Sequence, residues 1–320
     1  MRRRCRSVRY RRCVRTLRVL VVLVLVTAIA YLGISWKYAD GVTRVTRDPL
    51  MKSATYVQPT YESVSFTSRG VPALTLKGWW FRAPGSAAAT KAAVMVHGKD
   101  QNRIDSSFDP GRIARALLAD GWSVLLFEMR GHGESEGLRW GLGQYEPNDI
   151  LAAIDLAAQK TGLPRSRVAT IGESMGAGSV IMTVGRDPSI GPVVTDSAYA
   201  SAPQVVDEVG PLYSGLPAFF TPGLVIMSRL VYGLDIDSVV PVDVVRAHPE
   251  RAFFFIQCVD DHTVALHHGL DLKAASANAG TQLWLVNDCG HVKAFVTHPQ
   301  EWATRVVAFL DAHVADGAGR

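Results

Sequence analysis

The apolar run Val168 to Ile171 passes directly into Gly172-Glu173-Ser174-Met175-Gly176, and then into a helix-compatible stretch from Ala177 to Val184. A strand that must become a helix across so short a turn has few conformations open to it. It needs small residues where the two backbones nearly touch, and glycines stand two positions before and two positions after Ser174. The serine between them rides a strained turn that lifts its oxygen above the sheet edge, which is how such a serine becomes a nucleophile. The spacing alone is weak evidence, because Gly133-Glu134-Ser135-Glu136-Gly137 repeats it. In that copy Arg130-Gly131-His132 intervenes after the run Val124 to Phe127, and residues 138–143 are too glycine-rich to open a helix. Ser135 therefore reads as a loop serine.

The rest of the body supplies the architecture that such a turn requires. Strand candidates fall at 61–67, 74–82, 92–97, 123–129, 167–172, 191–196, 251–258 and 282–287. From the third onward they alternate with helical patterns at 111–120, 146–160, 175–186, 267–279 and 298–314. Two antiparallel-looking strands followed by a βα alternation predict an α/β fold with a mostly parallel, doubly wound, eight-stranded sheet. Residues 201–247 interrupt the alternation with five scattered prolines and an apolar centre around Phe219, Phe220 and Leu224 to Met227. Prolines and Arg229 argue against a second membrane span there, leaving a small helical cap or an ordinary packed insertion.

Charge divides the chain into a tail and a body. Nine arginines and no acid occupy the first 18 positions, while the remaining 25 Lys and Arg residues face 29 Asp and Glu. The body is thus mildly acidic, which argues against a nucleic-acid-binding face. The basic tail (1–18) runs into Val19 to Trp36, 18 residues without a charge. At about 1.5 Å of rise per residue this is just enough helix to cross a thin bilayer. Trp36 and Tyr38 suit the far interface, the arginines mark the cytoplasmic side, and the body is expected outside. A signal peptide cut after Ala28-Ile29-Ala30 is the alternative, but apolar residues continue past that point, so a retained anchor is favoured. Residues 37–60 are polar and proline-interrupted and read as a stalk, so the folded domain is expected over 61–315. No cysteine or histidine spacing resembles a metal site, and no nucleotide or flavin motif is present; no cofactor is expected. Oligomeric state cannot be read from the sequence.

Several segments in fixed order resemble the α/β-hydrolase superfamily, in particular membrane-anchored or secreted bacterial serine hydrolases of esterase or serine-aminopeptidase type. They are Val94-Met95-Val96-His97-Gly98, Arg130-Gly131-His132-Gly133-Glu134-Ser135, Gly172 to Gly176, Asp196-Ser197-Ala198-Tyr199, Asp261-His262-Thr263-Val264 and Gly290-His291. The resemblance implies a Ser-His-Asp triad in which the acid follows the seventh strand and the histidine the eighth. Those positions are Asp261 and His291, with Asp260 the competing acid. It also implies an oxyanion hole made by the backbone N–H groups of Met175 and Lys99. The Lys99 ammonium has two options, an anionic substrate group or solvent, and solvent is the expected one. By the same resemblance His97 braces the oxyanion loop and His132 belongs to a structural turn. His248, His262, His267, His268, His298 and His313 look like surface or loop residues. The implied activity is hydrolysis of carboxylic esters, among them acyl lipids or thioesters, with an aminopeptidase or acyl-peptide hydrolase as the alternative. A non-catalytic binding module would be expected to lack the triad.

Two cysteines stand close to these positions. Cys258 closes the seventh strand and Cys289 follows the eighth; on neighbouring parallel strands they would lie within disulfide reach. Two reduced, buried thiols are the other reading.

Overall fold

The computed structural model describes residues 2–85 and 90–316, with the side chains of residues 2–10, 315 and 316 outside it. Cys5 and five arginines of the basic tail thus fall outside the described side chains. In chain order the helices are α1 (Arg2–Thr43), α2 (Pro110–Ala119), α3 (Glu146–Thr161), α4 (Met175–Arg186), α5 (Ala202–Ser214), α6 (Thr221–Tyr232), α7 (Pro241–Ala247), α8 (Leu266–Ala275), α9 (Ala294–Thr297) and α10 (Pro299–Asp316). The strands are β1 (Glu62–Thr67), β2 (Thr75–Phe81), β3 (Ala92–Val96), β4 (Ser123–Phe127), β5 (Val168–Glu173), β6 (Val193–Asp196), β7 (Phe253–Cys258) and β8 (Gln282–Val286).

One sheet holds all eight, in the order β1-β2-β4-β3-β5-β6-β7-β8. β2 runs antiparallel to β1 and β4, and every other pairing is parallel. The expected fold is therefore observed. Strands β3 to β7 are buried at every residue, which is why they read as unbroken apolar runs rather than alternating ones. One face packs Ile150, Val180, Ile181, Val245 and Leu272 of α3, α4, α7 and α8. The other packs Ile113, Leu117, Phe295, Trp302 and Phe309 of α2, α9 and α10. The chain switches sides between β4 and β5, both neighbours of β3, so the carboxyl ends of β3 and β5 open the crevice where ligands of such sheets bind.

The insertion is a cap built from α5 and α6. It is shorter than the expected 201–247, because α7 packs on α4 and α8 and belongs to the helix layer. Helix α1 contains a span from Arg11 long and apolar enough to cross a membrane, with none of its apolar window buried against protein.

Residues 37–60 are not the free stalk that their polarity suggests. Helix α1 continues to Thr43, and Tyr38 and Ala39 are buried against the body. Beyond it, Val45 N–H donates to Leu138 O at 3.0 Å, Thr46 N–H to Asp100 Oδ1 at 2.9 Å and Met51 N–H to Asp105 Oδ2 at 2.7 Å. Ala54 and Val57 then enter the core. Polar backbone can be satisfied by water or by a domain surface, and here the loops at 98–105 and 137–140 supply the partners.

Candidate active site

Ser174 occupies φ 50°, ψ −116°, a region that L residues rarely enter, at the junction of β5 and α4. The flanking glycines permit it. A Cβ on Gly172 would lie 2.7 Å from Gly176 O, and one on Gly176 would lie 2.3 Å from Val96 O. The first substitution would force β5 from α4, and the second α4 from the end of β3.

Asp261 and His291 arrive from the loops after β7 and β8. His291 Nε2 lies 2.8 Å from Ser174 Oγ, and His291 Nδ1 lies 2.8 Å from Asp261 Oδ2. The acceptor-only carboxylate puts the proton on Nδ1 and leaves the Nε2 lone pair facing the serine hydroxyl. Asp261 Oδ1 accepts the N–H groups of Thr263 and Val264, each at 2.8 Å, and its side chain is buried. Burial pushes this carboxyl up, but the His291 hydrogen bond and charge together with the two N–H donors outweigh it, holding Asp261 below the usual carboxylate range. Asp260 is exposed and does not reach His291.

The loop expected to receive the oxyanion follows β3. A Cβ on Gly98 would touch Ser174 Cβ at 3.4 Å, so this loop lies directly beside the serine. His97 locks it: Nδ1–H donates to Gly98 O at 2.7 Å and Nε2 accepts Met129 N–H at 3.1 Å. Burial holds His97 well below the usual imidazole range, so the ring is a fixed neutral brace. The backbone N–H groups of Lys99 and Met175, the latter opening α4, have no acceptor among the described residues. Both residues line the cavity that contains Ser174.

The Lys99 side chain is half-buried rather than free in solvent. It is ion-paired with Asp100 and lies 5.7 Å from the Trp140 ring and 5.9 Å from the Tyr213 ring. The aromatic faces and the neighbouring carboxylate hold the ammonium at the cavity wall. Ser135 lies in a loop, as expected, and its buried hydroxyl donates to Glu128 O at 2.7 Å and accepts Lys77 N–H at 2.9 Å, so it fastens that turn to β2. His268 is buried, not superficial.

Glu208, His267 and His268 come close enough to suggest a metal site. The hydrogen bonds argue otherwise. His268 Nδ1 accepts Ala200 N–H at 3.2 Å, so Nε2 carries the proton and donates to Glu208 Oε2 at 3.2 Å. No lone pair of that ring is left for an ion.

Two further positioning residues are not expected from the sequence: Ser197 lies in a matching segment that gives its hydroxyl no role, and Gln257 lies in none. Ser197 Oγ accepts Val292 N–H at 3.2 Å and so ties down the residue after His291. Gln257 Nε2 donates to Val264 O at 2.9 Å beneath Asp261. The Cys258–Cys289 disulfide is present, with the Cα atoms 5.3 Å apart, and it joins the loops that carry the acid and the histidine. Closing a loop with 31 residues of separation contributes about 3–4 kcal/mol on the chain-entropy account.

Glu173, next to the serine, is fully buried. Its Oε1 accepts Gly98 N–H at 3.2 Å, and its Oε2 has no partner among the described residues. Burial pushes the carboxyl up to about 8, so it is protonated at neutral pH. An acid whose folded value is raised stabilises the fold fully below its unfolded value of 4.5, and that stability is lost as pH rises through about 8. Glu173→Gln keeps the shape without the ionisation. Between pH 6 and pH 9 the wild-type Tm should fall by several degrees more than the Tm of Glu173→Gln, whereas parallel curves would refute the assignment.

The cavity over Ser174 has a volume of about 280 Å³ and an apolar lining that includes Leu142, Val205, Val209, Leu224 and Ile236. Tyr38 and Val42 of α1 complete its wall.

Known proteins share this fold. The uncharacterized protein YfhR of Escherichia coli strain K12 is 23% identical over 254 residues, covering 78% of this chain and 80% of YfhR. The esterase Pf2001 of Pyrococcus furiosus superposes with a TM-score of 0.68 at 22% identity, over 84% of this chain and 99% of that one. Est1E of Butyrivibrio proteoclasticus, solved with ferulic acid bound, gives a TM-score of 0.61 at 16% identity, over 76% of this chain and 96% of its own. At these identities the structures establish a shared fold. The family model described as serine aminopeptidase, S33, matches residues 87–254, more than half of the chain and the stretch from β3 to the start of β7 that bears Ser174. The chain therefore belongs to the serine aminopeptidase S33 family of α/β hydrolases.

Proposed function

We propose that this protein is a membrane-tethered serine hydrolase that cleaves carboxylic esters through an acyl-enzyme on Ser174. The observation that carries the reading is the unbroken hydrogen-bond chain from Ser174 through His291 to Asp261 beneath an apolar cavity. His291 Nε2 takes the hydroxyl proton as Ser174 Oγ attacks the acyl carbonyl, and Asp261 holds the required tautomer and stabilises the imidazolium. The N–H groups of Met175 and Lys99 receive the oxyanion. His291 then passes its proton to the departing alcohol, and water repeats the sequence to release the acid.

The cavity lining supports an ester over a peptide with a free amino terminus. Among the described lining residues Asp100 is the one carboxylate, and Lys99 already neutralises it. An aminopeptidase needs an unpaired acid to hold its substrate's ammonium group. The apolar window of α1 supports the tether, with the arginine-rich end on the cytoplasmic side. The disulfide suits an oxidising compartment outside the cytoplasm.

A panel of p-nitrophenyl esters from acetate to palmitate, run beside aminoacyl p-nitroanilides, tests this reading. At least one ester should exceed every anilide in kcat/KM by roughly 100-fold, a margin a site can reach by substrate discrimination. The reverse ranking would make the peptidase reading the correct one.

A further inference from the structure

Helix α1 is part of the substrate site, and this fixes where substrate comes from. Tyr38 and Val42 wall the Ser174 cavity, and Tyr38 Oη donates to Gly210 O of the cap at 2.7 Å. A second cavity of about 450 Å³ lies between α1 and the end of α5, bounded by Ile34, Lys37 and Gly41 on one side and Ser214 and Leu216 on the other. It shares Tyr38, Val42, Lys99 and Tyr213 with the first, so the two spaces adjoin.

The cap grips the part of α1 that carries the membrane signal. Gly223 of α6 meets Ser35 so closely that a Cβ there would lie 2.1 Å from the serine oxygen. Tyr31 Oη donates to Phe219 O and accepts Gly223 N–H, both at 3.1 Å, while its ring stacks on Phe220 at 5.3 Å. Tyr31 precedes Trp36, the end of the uncharged run, by about 7–8 Å of helix rise. The cap corner therefore reaches to the depth of that run. There it presents Phe219, which is 70% exposed, while the exposed Leu212 and Leu230 stand near Gly210 and Tyr232, which meet Tyr38 and Asp40 just past that run. Apolar side chains at such depth are those of a segment seated in the lipid interface.

We infer that the substrate is a long-chain acyl ester resident in the bilayer, which enters sideways through the cleft between α1 and the cap at Gly41 and Leu216. This rests on the ester-hydrolase reading above. The acyl chain leaves lipid at Ile34, passes Tyr38 and Tyr213, which line both cavities, and brings its carbonyl to Ser174 without crossing water.

The test uses the full chain in phosphatidylcholine vesicles, with 4-methylumbelliferyl palmitate in the bilayer and 4-methylumbelliferyl acetate in solution. A Cβ on Gly41 meets nothing within 4 Å, so Gly41→Trp adds bulk to the cleft without a backbone clash. The ratio of palmitate to acetate hydrolysis should fall at least about 10-fold in Gly41→Trp, and likewise in Leu216→Trp from the opposite wall, as expected when a passage is filled. Palmitate placed in separate, enzyme-free vesicles should also be cleaved at least about 10-fold more slowly than palmitate sharing the enzyme's bilayer. An unchanged ratio in both variants, or equal rates from shared and separate vesicles, overturns the inference. Wild-type turnover of acetate without palmitate overturns it and leaves the ester-hydrolase reading standing, whereas turnover of neither ester removes both.

Discussion

Ser174→Ala should reduce ester turnover by on the order of 10⁴ to 10⁶ while the protein folds as before. The change removes one oxygen whose one side-chain partner among the described residues is His291, so no core contact is lost. That fall corresponds to about 5–8 kcal/mol of transition-state stabilisation, far beyond what a packing change at one turn would supply. Purified Ser174→Ala with a wild-type melting curve and retained turnover would exclude Ser174 as the nucleophile.

Asp261→Asn should cost on the order of 10³ to 10⁴ in kcat, because an amide facing His291 Nδ1 permits the tautomer whose Nε2 already bears a proton. His291→Ala should match Ser174→Ala, since the two act as one unit. Asp260→Asn is the internal control: an exposed side chain away from His291 should change kcat less than about 3-fold, as surface substitutions do. Steady-state kinetics on a short-chain ester measures all three, and a larger loss in Asp260→Asn than in Asp261→Asn would reverse the choice of acid.

The parts legible in the sequence are those fixed by local pattern or chain order. Central strands buried on both faces advertise themselves as apolar runs, and the Gly172–Gly176 turn has one backbone solution. Asp261 and His291 follow from the family resemblance, which implies an acid after the seventh strand and a histidine after the eighth. What escaped depends on which loops meet in space. Residues 37–60 are polar whether water or the body satisfies them, and nothing local tells that Val45, Thr46 and Met51 find partners at 100–105 and 138. Lysine usually stands in solvent, and only the folded positions of Trp140, Tyr213 and Asp100 draw the half-buried Lys99 ammonium to the cavity wall. Gln257 lies in no matching segment, and the segment that contains Ser197 assigns that hydroxyl no role. They matter because their side chains support Val292 and Val264, residues distant in sequence or set by a loop geometry that no periodicity encodes.

The central claim is that Ser174 is activated by His291 at the floor of an apolar acyl site. Fluorophosphonate labelling of the full chain in membranes, followed by peptide mapping, tests it most directly, because the probe bonds covalently only to a serine whose oxygen has been made nucleophilic. The account predicts one labelled peptide containing Gly172 to Gly176, modified on Ser174, and loss of labelling in both Ser174→Ala and His291→Ala. Absence of label in the folded wild-type protein, or label that persists in Ser174→Ala, would contradict it.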